Sequence, residues 1–197
     1  MKKVTKKKTK KKVEDFIYND SWIYSILLGT LLVLMESLKT FYFTVKGISL
    51  SYSILLLPFI YFIINYVAKK YDYKKAVTTI ILSATLFICL MGIISFGLGE
   101  RMTISKYGGE ILAYFISQFI NLTIYLFLLN NTKSPYILLL MNYLFALIVY
   151  YMIYMVVYLD LVLTDQYWLS YFVTLGIQLF ICMILSIIDK FTKKGKA

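Results

Sequence analysis

Six apolar stretches, at residues 22–38, 48–68, 76–98, 111–129, 135–159 and 168–188, fill most of this 197-residue chain. Each is close to the roughly 20 residues that carry a helix, at ~1.5 Å rise per residue, across a ~30 Å hydrocarbon layer. Backbone N–H and C=O groups find no water in that layer, so a crossing segment has to bond them internally, and a helix does this locally. The pattern predicts an all-α integral membrane protein of six transmembrane helices. Basic residues are sorted to one side of these helices. Eight lysines precede the first stretch, Lys69, Lys70, Lys74 and Lys75 follow the second, Lys133 follows the fourth, and four come from Lys190 onward; only Lys39, Lys46, Arg101 and Lys106 fall on the other side. The positive-inside rule then puts both termini in the cytoplasm, as expected of a multi-pass protein of a bacterial cytoplasmic (inner) membrane.

The organisation is expected to be a disordered basic tail over 1–20, one membrane domain over 21–190 and a second short basic tail over 191–197. The net charge of +11 comes largely from lysines at the N-terminus, which are not interleaved with arginine or aromatic residues over 1–12. Such a tail has nothing to stack on bases, which argues against nucleic acid as a partner. Membrane lipids are the partner it suits, through attraction to anionic headgroups, although fixing the topology would be role enough. Residues 13–21 separate the lysines from the first apolar run and no small-x-small cleavage site follows it, so the first helix is expected to stay attached rather than act as a signal peptide. Cys89 and Cys182 fall in different spans, where a single thiol packs as a small apolar group. The chain has no histidine. That excludes zinc-protease motifs, histidine-dependent serine chemistry and haem ligation by histidine, and no nucleophile and base pair is readable; neither catalysis, a metal nor a cofactor is expected.

Polar side chains inside a membrane are costly and usually face the bundle interior or a water-filled cavity. Glu36 lies ~21 Å along a first helix that starts at the lysine-rich side. The fourth stretch carries Tyr114, Gln118, Asn121 and Tyr125 at spacings of four, three and four, on one helical face. The sixth repeats the pattern with Tyr171, Thr174, Gln178 and Cys182. Gln118 and Gln178 come out ~14–17 Å deep, near the level of Glu36. Two readings follow. Glu36, Gln118, Asn121 and Gln178 could line one outward-facing pocket for a planar polar solute, with Tyr114 as a stacking wall, or the amides could join helices to one another. Asn65 and Asn142, in the other half of the membrane, are expected to pair or pack. Ser21, Ser25 and Gly29 form a small-residue row at i, i+4 spacing that would let a helix approach closely, either within the bundle or from another protein.

Two segments resemble a known family. Residues 57–76, LPFIYFIINYVAKKYDYKKA, are similar to the second-helix signature of the vitamin uptake transporter family, the queuosine precursor transporters. There a proline-containing helix ends in an acidic residue and a tyrosine-rich YGYKKA-like turn. Residues 113–128, AYFISQFINLTIYLFL, resemble that family's AYLxSQxxD segment. The chain departs from the pattern at several acids: Asn65, Lys69 and Asn121 stand where the family has acidic residues, Asp72 replaces the turn glycine, and the arginine early in the fifth helix is absent. The resemblance implies uptake of a small nucleobase-like or vitamin-like solute, with a preference different from that of relatives that take a deazaguanine base. It also implies a six-helix bundle like the S components of energy-coupling factor transporters. Their first helix docks on the coupling subunit through a small-xxx-small motif, which Ser21, Ser25 and Gly29 match. Energy-coupling transmembrane and ATPase subunits would then be partners, since the chain carries no ATP-binding motif. The competing expectation is a six-helix scaffold resembling the rod-shape-determining membrane subunit, which has no need of a polar layer.

Overall fold

The computed structural model describes residues 21–45, 47–99, 104–131, 135–157 and 165–194. Among the described residues six α-helices run in order: α1 Ser21–Ser37, α2 Leu57–Lys70, α3 Tyr73–Gly97, α4 Ile104–Asn131, α5 Pro135–Val157 and α6 Asp165–Lys194. Among the described residues five stretches are long and apolar enough to cross a membrane, Ser21–Thr40, Tyr52–Lys70, Tyr73–Gly97, Tyr107–Leu129 and Leu169–Ile188, and a shorter apolar stretch, Met141–Ile153, lies in α5. The expected tail over 1–20 lies outside the described residues, as do 195–197 of the tail expected over 191–197, whose residues 191–194 instead continue the last helix.

The distribution of polarity is that of a protein dissolved in lipid. Phe96, Ile93, Phe172 and Phe180 stand well exposed, while Asn65, Gln118, Asn121, Asn142 and Gln178 are almost completely buried. In water that arrangement would waste the hydrophobic term and leave large apolar patches bare. Against hydrocarbon it is the low-energy one, because apolar side chains lose nothing by facing acyl chains whereas amides must find partners inside.

Helix α2 is the central element, touching α1, α3, α4 and α6, while α1 lies along α3 and α4 along α5. Its buried face, Leu57, Ile60, Tyr61, Ile64, Asn65, Val67 and Ala68, covers most of the circumference, as a helix with neighbours on several sides requires. The pairing of α1 with α3 depends on Gly29, where an added Cβ would come within 2.7 Å of Leu86 Cδ2 and 3.0 Å of Leu86 Cβ. The row therefore faces inward at Ser25 and Gly29, which are buried, while Ser21 is half-buried, and the close approach that Gly29 permits is taken up by α3. At these positions the row is not a free docking surface for a coupling subunit, because its groove is already filled by Leu86.

The second apolar stretch does not begin as a helix. Residues 42–51 form an antiparallel hairpin, β1 Tyr42–Val45 and β2 Ile48–Ser51, in register Tyr42↔Ser51 through Val45↔Ile48. The turn passes through Gly47 at φ +83, a left-handed conformation that costs glycine little. Alternation of Phe43, Val45, Ile48 and Leu50 with Tyr42, Thr44, Ser49 and Ser51 suits a strand, and Leu50 anchors the hairpin at 3% exposure. A 3-10 turn, Tyr52–Leu55, follows before α2 starts with Pro58 in its first turn, where the missing N–H costs nothing. Among the described residues this hairpin is the one departure from a mostly helical chain, which is consistent with an all-α membrane protein. At the opposite end of the bundle α2 passes to α3 in a two-residue turn. Asp72 caps α3 there, its carboxylate accepting from the Lys75 N–H at 2.6 Å, and Lys70 Nζ sits 4.9 Å from the centre of the Tyr71 ring.

Candidate functional site

The residues predicted to line one pocket separate into three places. The first is a cavity of about 250 Å³ at the hairpin end of the bundle. Met35, Lys39, Tyr42 and Ser51 wall one side, Ser53, Ile54 and Leu57 the base of α2, and Tyr150, Tyr151 and Gln178 the faces of α5 and α6. Gln178 is the only predicted site residue among them. Its Nε2 donates to the Ile54 carbonyl at 2.8 Å and to the Tyr151 hydroxyl at 2.9 Å, so α6 is tied across the cavity to the segment before α2. Its Oε1 is buried with no hydrogen-bond partner.

Glu36 reaches this cavity through Lys39. It stands one helical turn before that lysine and pairs with Nζ at 2.7 Å, while Glu110 of α4 pairs with the same ammonium from the other side. Two carboxylates from different helices thus converge on one lysine, whose side chain is 25% exposed, Glu36's being 16% and Glu110's 7%. Tyr114, one turn beyond Glu110, bonds through its hydroxyl to Ser83 of α3 at 2.8 Å. It lines a second space of about 10 Å³ beside Glu110 and Phe87, room for no more than about one water. As a stacking wall it therefore faces packed side chains and not the larger cavity.

The third place is a knot of amides in the core. Asn121 of α4 stands at its centre and exchanges hydrogen bonds with Asn65 of α2, donating to Oδ1 at 3.0 Å and accepting from Nδ2 at 3.2 Å. Its Oδ1 also accepts from Asn142 of α5 at 2.7 Å, and its Nδ2 reaches Gln118 Oε1 at 3.3 Å. Asn65 and Asn142, expected to pair or pack, are joined through Asn121 and not to each other. Gln118 and Asn121 belong to this knot, away from Gln178. Three helices are held by it, and Gln118 Nε2 and Asn142 Oδ1 remain without partners. A reciprocal amide pair inside a bundle is the arrangement that joins helices.

Comparison with protein families, with curated proteins and with solved structures finds no match. The site is therefore read from its own chemistry. Among the described residues no group of histidine, cysteine and carboxylate side chains is placed to hold a metal. Sequence reasoning overlooked Glu110, Lys39, Tyr151 and the serines of the hairpin. Glu110 fell one residue before the predicted fourth span, and the signal that would have found it is its spacing of four and eight to Tyr114 and Gln118. Lys39, three residues after Glu36, carried a similar i, i+3 signal.

Proposed function

We propose that the protein is a multi-pass membrane protein that binds a small planar solute, nucleobase-like or vitamin-like, from the side of the membrane bearing the hairpin. In this reading it serves uptake, alone or as the substrate-binding subunit of a larger transporter. The carrying observation is the cavity of about 250 Å³ that holds the buried, half-bonded Gln178 carboxamide. Its volume is just below the roughly 300–1,000 Å³ of typical small-molecule sites, in keeping with a compact solute, and its apolar and tyrosine walls with a few converging polar atoms suit a flat ring. The lysine asymmetry supports both termini being cytoplasmic, which turns the cavity outward in a bacterial inner membrane. The resemblance of residues 57–76 and 113–128 to queuosine precursor transporters supports the same class of solute.

A scaffold has no need of a tyrosine-walled cavity of this size beside Gln178. The inward-facing Ser25 and Gly29 favour a protein that works without docking through that row. The test is thermal unfolding of the purified chain in the presence of purines, deazapurines, pyrimidines and small ring-containing vitamins. A stabilising compound whose effect is lost in Gln178→Leu supports the reading. No stabilisation by any of them, together with no small molecule co-eluting from cells by mass spectrometry, removes it.

A further inference from the structure

We propose that the turn between α2 and α3 binds the headgroup of an anionic phospholipid such as phosphatidylglycerol, with Lys70 as the group that meets the phosphate. The inference is independent of the solute cavity, which lies at the other end of the bundle. A lysine ordinarily gives up much of its side-chain freedom when it grips an anion. Lys70 is already held. Its Nζ stands 4.9 Å from the centre of the Tyr71 ring, 5.6 Å from that of Tyr24 and 5.9 Å from that of Tyr66, and it lies 3.5 Å from the Tyr24 hydroxyl. The rings brace one another, Tyr24 against Tyr66 at 5.7 Å and against Tyr71 at 6.2 Å between centroids. Ring faces attract an ammonium without neutralising it. No carboxylate among the described residues pairs with Lys70, and the residue remains exposed. The result is a positive charge fixed in place and open to a partner.

Its surroundings suit a lipid headgroup better than free phosphate. The apolar stretch Tyr52–Lys70, long enough to cross a membrane, ends on this lysine, which brings the ammonium to headgroup depth. Trp22, Tyr66 and Tyr73 stand exposed at the same end of the bundle, as aromatic side chains do where a membrane meets water. Lys74 and Lys75 add charge from the first turn of α3, where the helix dipole disfavours cations, and a bound anion would offset that penalty. Asp72, the carboxylate of the turn, is engaged as the cap of α3 through the Lys75 N–H. Topology asks for lysines on this side of the membrane but not for one clasped by three rings. A basic segment beside a membrane helix is drawn to anionic headgroups, and the tyrosine clasp gives that attraction a fixed point.

Native mass spectrometry tests this on the unmodified chain in micelles holding equal amounts of palmitoyl-oleoyl phosphatidylglycerol and phosphatidylcholine, by the ratio of the two lipids retained. Phosphatidylglycerol should be retained in excess. Lys70→Gln should lower the ratio about fivefold, the effect of one well-placed lysine on an anionic headgroup. Lys70→Arg should keep it, because a guanidinium also stacks on rings and binds phosphate. Lys6→Gln, in the basic N-terminal segment, should change it less than about twofold, as one of many screened charges. Tyr66→Leu leaves every charge in place and should still lower the ratio by about twofold. Equal retention of the two lipids by the unmodified chain overturns the proposal. So does an equal loss in Lys70→Gln and Lys6→Gln, which would make the attraction one of net charge alone, or an unchanged ratio in Tyr66→Leu. Displacement of bound phosphatidylglycerol by inorganic phosphate at the lipid's own concentration would make this a site for free phosphate and overturns the lipid assignment.

Discussion

At the scale of single residues, Asn121 has the most to lose. Four hydrogen bonds converge on its carboxamide from Asn65, Asn142 and Gln118, all in the interior. Polar contacts between membrane helices average about 0.6 kcal/mol each, so Asn121→Leu should cost about 2 kcal/mol, read as reduced resistance to denaturation in detergent. Because the knot lies apart from the cavity, solute binding by the folded fraction should be unchanged; a variant that kept its stability but lost binding would move the solute site inward to the amides. The contrast with Gln178 is physical. One amide bonds to other amides, and the other bonds to a backbone carbonyl and a tyrosine hydroxyl in the wall of a cavity.

The small-residue row acts at the scale of helices. Gly29 lets α1 lie against Leu86 of α3, and any side chain there must displace that leucine. Gly29→Leu should therefore destabilise the bundle by about 1–3 kcal/mol through overpacking, and Leu86→Ala introduced with it should restore part of the loss. Thermal unfolding of the two variants checks this. Rescue by Leu86→Ala would confirm internal packing, whereas a well-folded Gly29→Leu chain with unchanged stability would contradict the contact. The hairpin is the other element with consequences. It carries Tyr42 and Ser51 to the rim of the cavity and leads into the turn holding Ser53 and Ile54, so it forms the mouth of the site that the spans alone would leave as a cleft.

For the whole molecule, the testable quantity is orientation. Phe41, at the hairpin end, is 60% exposed, and Asp72 is exposed in the turn between α2 and α3. In cells, a membrane-impermeant thiol reagent should modify Phe41→Cys and spare Asp72→Cys, if the lysine-rich side is cytoplasmic. The reverse pattern would turn the cavity inward and end the uptake reading.

That the chain is built of successive apolar helices, and their order, was readable from the sequence because hydrocarbon imposes one demand on every crossing segment, about 20 apolar residues with internal backbone bonding, and that demand is local. The second helix starts nine residues later than expected, and among the described residues the fifth has only a shorter apolar stretch. The side chains that would be buried were readable for a related reason: amides at membrane depth must face inward, as Gln118, Asn121 and Gln178 do. Their partners were not. Periodicity gives a face but not the helix that meets it, so Gln118 and Gln178, at similar predicted depth, were assigned to one pocket although they bond to different partners. The hairpin escaped notice because Ile48, Leu50, Ile54 and Leu55 suit an apolar helix as well as a strand, and only the turn at Gly47 and the packing of Leu50 settle which forms. Lys39 between Glu36 and Glu110 joins residues about seventy positions apart. A contact of that kind depends on how α1 and α4 come together, which only the tertiary structure decides.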